Sequence, residues 1–345
     1  MKTTGRLFRT GMAVLLAAAM AACGGSEAAS VTESPAAETA ETKAYKVAVV
    51  KQLDHASLDE IANAITSQLD ALAAENGIVI EYGNVYSGQN DQTVLQQIAS
   101  QALADGVDAI IPIATLAAQT MTAAAADSET PVIFAAISDP EAAELTDIGY
   151  VTGTSDALNT KQIMDMIFAQ NPDAKKIGLL YSKSEANSAA PIAEAVSYLQ
   201  EKGIEYIEAT GNTNDEVIQA AGALIGAGVD AVFTPTDNVV MAAELAIADS
   251  FIEAGIPHYA GADSFVRNGA FATCGVNYTE LGKETAVLAF RAITGGIGST
   301  GIAGSYEVMP GGIITVNTET AGALGADYAA LKDFGEIVEV LTTED

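Results

Sequence analysis

Two short phrases stand where apolar runs end, and they carry complementary chemistry. In Ala114-Thr115-Leu116-Ala117-Ala118-Gln119 a hydroxyl and the backbone N–H groups near Ala117 and Ala118, at the start of a helix, are placed to hold a carboxylate. In Pro235-Thr236-Asp237-Asn238 a carboxylate is placed to meet a cation, with the Asn238 amide beside it. Each also reads as plain helix capping, Thr115 for the helix near Leu116 and Asp237 for one beginning near Val239. Further polar residues close other apolar runs: His55 and Ser57, Ser138 and Asp139, Ser184, Asn187 and Ser188, and Asp263. Ser184, Asn187 and Ser188 either cap the helix toward Pro191 or donate to a ligand. His55 is expected as a cleft wall rather than a metal ligand, because the other histidine, His258, opens an apolar run instead of closing one. Tyr86 and Phe265 read as core residues or as stacking surfaces for an aromatic ligand.

These residues must be positioned by the elements between them. Apolar runs of strand length occur at Lys46–Val50, Ile78–Tyr82, Val107–Ile113 and Val132–Ile137, separated by amphipathic stretches at Leu58–Ala74, Gln92–Ala104 and Ala117–Ala126. The same order restarts with strands at Lys176–Tyr181, Ile204–Glu208, Val229–Pro235 and His258–Gly261, and helices at Pro191–Glu201, Glu216–Ala227 and Val239–Ala254. Continuous apolar strands joined by helices predict parallel sheets covered on both faces. The halves also match in phrase. Gly106-Val107-Asp108-Ala109 pairs with Gly228-Val229-Asp230-Ala231, the end of the Lys46 run with Ser184 to Ser188, and Ser138-Asp139 with Asp263-Ser264. Three matches in one order predict an α/β chain of two doubly wound parallel-sheet lobes joined by a multi-strand hinge, with a ligand between the carboxyl ends of their strands.

The start of the chain has its own chemistry. Lys2, Arg6 and Arg9 precede the apolar stretch Met12–Ala22, and Met20-Ala21-Ala22-Cys23 ends in the small-small-Cys pattern of a lipoprotein processing site. The apolar stretch is too short to span a bilayer stably. Residues 1–22 are therefore expected as a lipoprotein signal peptide, Cys23 as the lipidated residue, and 23–44 as a disordered tether, since Gly24–Lys43 lacks aromatic residues and is dominated by Gly, Ser, Ala, Thr and Glu. This order of parts predicts a body held at the outer face of the bacterial cell membrane, or in a periplasm.

Charge and motifs exclude other classes. Removing residues 1–22 takes away three cations and no acid, so the net charge goes from -30 to -33, a surface that repels phosphate backbones. No nucleic-acid partner is expected. Beyond Cys23 the chain has one cysteine, Cys274, set in an apolar run and expected as a buried core thiol, so no internal disulfide is expected. No Gly-x-Gly-x-x-Gly follows the first strand, no phosphate-binding Gly-Lys-Ser/Thr loop occurs, and neither histidine has a nucleophile motif beside it. Neither an enzyme, nor a cofactor, nor a metal site is expected.

The phrases Gln52-Leu53-Asp54-His55, Ala114 to Gln119, Ser138-Asp139-Pro140, Ser182 to Ser188 and Pro235 to Asn238 resemble those of ABC transporter substrate-binding lipoproteins of the periplasmic-binding-protein-like type I group, most of all the subfamily with tryptophan- and tyrosine-binding members. The resemblance runs from about Tyr45 to about Val316. It implies a monomeric receptor that closes on a small amino-acid-like ligand, aromatic in type, and delivers it to an ABC permease and its ATPase. The alternatives are another small solute such as a sugar or nucleoside, or a sensory role. On this reading lobe one comprises 45–148 plus 264–300 and lobe two 149–263 plus 301–345, with hinges at Ser138-Asp139-Pro140 and Gly261-Ala262-Asp263.

Overall fold

The computed structural model describes residues 43–343. The signal peptide expected over 1–22, the lipidation at Cys23 and the tether up to residue 42 lie outside the described residues.

The first half alternates as expected: β1 (Ala44–Lys51), α1 (Ala56–Asn76), β2 (Val79–Glu81), β3 (Tyr86–Ser87), α2 (Gln92–Ala104), β4 (Ala109–Ile113), α3 (Thr115–Ala125), β5 (Val132–Phe134) and β6 (Val151–Ser155). The second half continues with α4 (Thr160–Gln170), β7 (Lys176–Tyr181), α5 (Ala189–Lys202), β8 (Glu205–Thr210), α6 (Asn214–Ala227), β9 (Ala231–Thr234), α7 (Asn238–Glu253) and β10 (His258–Ala260). The remainder is α8 (Asp263–Arg267), β11 (Ala272–Gly275), α9 (Tyr278–Gly295), β12 (Glu307–Val308), β13 (Ile313–Asn317), α10 (Thr318–Leu324) and β14 (Ile337–Val340).

Two sheets result. One runs β12-β6-β5-β4-β1-β2, with β3 also on β1, and is parallel throughout. The other runs β14-β13-β11-β10-β9-β7-β8, parallel except where β13 meets β11. The repeated Gly-Val-Asp-Ala phrase has one structural meaning in both. Gly106 and Gly228 sit at φ +66 just past a helix, which glycine adopts without a Cβ penalty. The following aspartate turns back to the first strand of its sheet: Asp108 accepts from the Lys46 backbone N–H at 2.8 Å, and Asp230 from those of Lys175 and Lys176 at 2.7 and 2.9 Å.

The expected lobe boundaries shift in three places. Val151–Ser155, expected in lobe two, pairs with β5 in the first sheet. Residues up to Gly275, expected to have returned to lobe one, belong to the second sheet through β11. Glu307–Val308, expected in lobe two, closes the edge of the first sheet on β6. The crossings thus follow Ser155, Gly275 and Val308, and not Ser138-Asp139-Pro140 or Gly261-Ala262-Asp263. The strand Val151-Thr-Gly-Thr-Ser155 escapes a search for apolar runs because its buried hydroxyls are satisfied by distant parts of the chain: Thr152 donates to the carbonyls of Ile302 and Ser305, and Thr154 pairs with Thr285.

Three apolar cores cover the sheet faces. One holds α2 and α3 to the first sheet through Leu95, Met121 and Phe134, and one holds α4 and α5 to the second through Ile163, Ile192 and Phe233. The third runs across the lobe boundary, from Ile61 and Leu281 on α1 and α9 through Phe265 to Leu224 and Phe251 on α6 and α7. Cys274 is buried on β11, and burial pushes its thiol up to about 11.

Candidate ligand-binding cleft

The carboxyl ends of β1, β4, β5 and β6 face those of β7, β9, β10 and β11, as expected of doubly wound lobes. Between them lies a small cavity lined by both lobes. From lobe one it is lined by His55, Ser57, Leu58, Ala114, Thr115, Ala136, Ser138 and Asp156; from lobe two by Asn187, Thr236, Asp237, Asn238, Met241, Ala262, Ser264 and Phe265; and by Tyr278 where the chain re-enters lobe one. Of the residues singled out in the sequence, His55, Ser57, Thr115, Ser138, Asn187, Asp237 and Asn238 meet there, and Phe265 joins them.

The others lie elsewhere. Ala117 and Ala118 are fully buried in the core beneath α3. Gln119 donates to the Ala143 carbonyl, and Asp139 accepts from the Ala142 N–H, so both shape the loop after β5. Ser184 is exposed and paired with Ser182. Ser188 donates to Asp237 from behind the cavity wall. Asp263 opens α8 and pairs with Arg267.

Asp237 has no bonding capacity left for a ligand. Its Oδ1 accepts from the Val239 and Val240 N–H groups at 3.0 Å each, and its Oδ2 from the Ser182 N–H and the Ser188 hydroxyl at 2.7 Å each. Capping of α7 accounts for Oδ1, and the contacts to Ser182 and Ser188 account for Oδ2. The carboxylate that remains is Asp156, at the first crossing. It is buried, accepts from the Ser138 hydroxyl at 2.9 Å and the Tyr278 hydroxyl at 3.0 Å, and forms no ion pair among the described residues. Burial raises its carboxyl above the usual range, against the pull of the two hydrogen bonds. Nothing in the sequence marked Asp156 or Tyr278, since one follows a threonine-rich strand and the other a short Ala-Thr-Cys-Gly strand.

The backbone is bent to serve the site. Ala114 and Ala136, at the ends of β4 and β5, sit at φ +73 and +57, a region that side chains other than glycine seldom occupy and that clusters at functional sites. This bend sets Thr115 at the cavity and starts α3 there, its Leu116 N–H held by Gln52 Oε1 at 2.9 Å.

Polar contacts tie the lobes together around the cavity. Gln52 Nε2 donates to Glu185 Oε1 at 2.8 Å, His55 Nε2 meets Asn238 Oδ1 at 3.1 Å, and Ser138 Oγ meets Thr236 Oγ1 at 2.8 Å. Glu185 also accepts from Asn238 Nδ2 at 2.7 Å. Burial and the nearby Asp237 charge push its carboxyl up to about 7. Three buried atoms of cavity-lining residues have no partner: His55 Nδ1, Ser57 Oγ and Asn187 Oδ1. Buried polar atoms without partners are costly.

Residues 46–327 match the family model described as ABC transporter substrate binding protein. This chain belongs to that family. Such proteins bind solutes for a transporter and, as a family, are not enzymes. A relative named tyrosine-binding protein, from Clostridioides difficile (strain R20291), is 31% identical to this binding protein over 265 residues, 75% of each chain. A Streptococcus pneumonia ABC domain solved in complex with L-Trp is 28% identical, with a TM-score of 0.77 over 86% of this chain and 100% of that one. CD0873 from Clostridium difficile, a substrate binding protein with adhesive properties solved in a ligand-free, open form, is also 28% identical over 87% and 100%, with a TM-score of 0.63. At equal identity this chain superposes better on the structure solved with L-Trp than on the ligand-free, open one.

Proposed function

We propose that this binding protein captures an amino acid, aromatic in type, between its lobes and delivers it to an ABC permease and its ATPase. The observation that carries this is Asp156: a buried carboxylate at a cavity wall, held by two hydroxyl donors, with no ion-pair partner among the described residues. A carboxylate desolvated in this way is costly without a cationic partner, and an α-ammonium supplies one. Opposite charge on the same guest suits the start of α3, where Thr115 and the helix N-terminus favour a carboxylate. Leu58, Met241, Phe265 and the Tyr278 ring offer apolar walls for a side chain. The names of the relatives, one tyrosine-binding and one solved with L-Trp, support the aromatic choice. His55, Ser57, Ser138, Asn187 and Asn238 complete the polar lining in this reading, while Asp237 acts only through the fold.

The protein works outside the cytoplasm as a monomer, lipid-anchored through Cys23 behind its tether. Among the described residues no helix is long and apolar enough to cross a membrane. Calorimetry on protein refolded free of co-purified ligand tests the ligand reading. We expect binding of L-tyrosine or L-tryptophan, weakened in Asp156→Asn by about 2 kcal/mol or more. Equal affinity in that variant assigns the ammonium elsewhere, and binding only of a sugar or nucleoside overturns the amino acid assignment.

A further inference from the structure

Among the side chains of the cavity, His55 is the one whose hydrogen-bonding polarity its surroundings dictate. The Leu116 N–H can only donate, so the Gln52 atom that receives it is the carbonyl Oε1, and Gln52 Nε2 is left to donate to Glu185 and Asn90. Glu185 in turn accepts Asn238 Nδ2 at 2.7 Å. With Glu185 ionised, Asn238 presents its carbonyl Oδ1 to His55 Nε2 at 3.1 Å, and Nε2 carries the ring hydrogen. Burial holds the imidazole below its usual range, in its neutral form. A neutral ring protonated at Nε2 has a bare Nδ1. That atom is shielded from solvent and has no partner in the protein.

We infer that His55 Nδ1 accepts a hydrogen bond from a donor on the ligand's side chain, so that the site selects aromatic amino acids carrying a phenol O–H or an indole N–H over phenylalanine. This rests on the amino acid reading given above. A ligand without such a donor leaves a buried acceptor unpaired, and sites built around a hydrogen bond reject analogues that lack it far more strongly than apolar pockets sort by size.

The test is a ligand series on the purified chain, refolded free of co-purified ligand. By calorimetry, L-tyrosine and L-4-aminophenylalanine are expected to bind about tenfold or more tightly than L-phenylalanine and L-4-fluorophenylalanine, the last matching tyrosine in size without its donor. In His55→Leu the preference is expected to collapse, tyrosine falling toward phenylalanine. The chain has two histidines, and both ring nitrogens of His258 are bonded, to Glu244 and Thr234, so the ¹⁵N spectrum reads His55 directly without any substitution. Its Nδ1 resonance is expected to be that of a bare nitrogen, moving on addition of tyrosine and not of phenylalanine. Equal affinity for tyrosine and 4-fluorophenylalanine, or a preference that survives His55→Leu, overturns the inference while leaving the aromatic reading intact. If no aromatic amino acid binds, both fall.

Discussion

Asp156 and Asp237 show how alike two cavity carboxylates are in sequence and how unlike in structure. Both end a strand and both are buried, yet one spends its oxygens on four protein donors and the other on two. The two variants should therefore fail differently. Asp237→Ala removes the cap of α7 and orphans buried donors at Ser182 and Ser188, so it should cost about 2 to 4 kcal/mol of stability, read as a lower midpoint in urea unfolding. Asp156→Asn keeps an acceptor for one of the two hydroxyls and offers the other an NH2 to accept from, so its loss should appear mainly in affinity, with a small change in the urea midpoint. Of these two, only Asp237 was legible in the sequence, because it closes an obvious apolar run. Whether it was cap or ligand depended on Ser182 and Ser188, some fifty residues away, which no local pattern reveals. His55, Thr115 and Asn187 were legible on the same ground, and they do line the cavity.

At the scale of elements, runs of apolar residues marked the strands that are covered on both faces, β1, β4, β7 and β9 among them, and Gly-Val-Asp-Ala marked the equivalent turns of both lobes. What stayed hidden were strands whose pairing is supplied by distant sequence. β6 is built of Thr and Ser around Gly153, and β12 has two residues; both are recruited by an existing sheet edge and owe little to their own propensity. Gly153 illustrates the constraint. A Cβ there would fall onto the Phe134 carbonyl oxygen and ring, so β5 and β6 pair only because the side chain is missing. Gly153→Ala should destabilise the chain by about 1 to 3 kcal/mol, seen as a lower urea midpoint with an unchanged slope.

For the whole molecule the telling contact is Glu185, which closure presses between Gln52 of lobe one and Asn238 of lobe two, with the Asp237 charge behind it. In the structure the Glu185 carboxyl is pushed up to about 7, chiefly by burial, and opening the lobes to water is expected to bring it back toward its ordinary range. The sign follows. A carboxyl whose value rises on closure disfavours the closed form where it must be ionised, above about 7, and the penalty fades as pH falls toward the ordinary value. Ligand affinity should therefore increase between about pH 8 and about pH 6, with proton uptake measurable by calorimetry in buffers of different ionisation enthalpy. Glu185→Gln should flatten that dependence. A variant that retained the full slope would place the titrating group elsewhere.

The three crossings have a consequence for how the chain comes into being. The first sheet needs Glu307–Val308 to finish its edge, and the second needs Ile313–Asn317 and Ile337–Val340, so a nascent chain that stops short of Glu307 contains neither sheet complete. Parallel pairings of such long sequence separation form slowly and late. A polypeptide arranged in this way is expected to complete its fold only after nearly all of it has been synthesised, which favours its passage through a secretion channel before folding finishes on the far side.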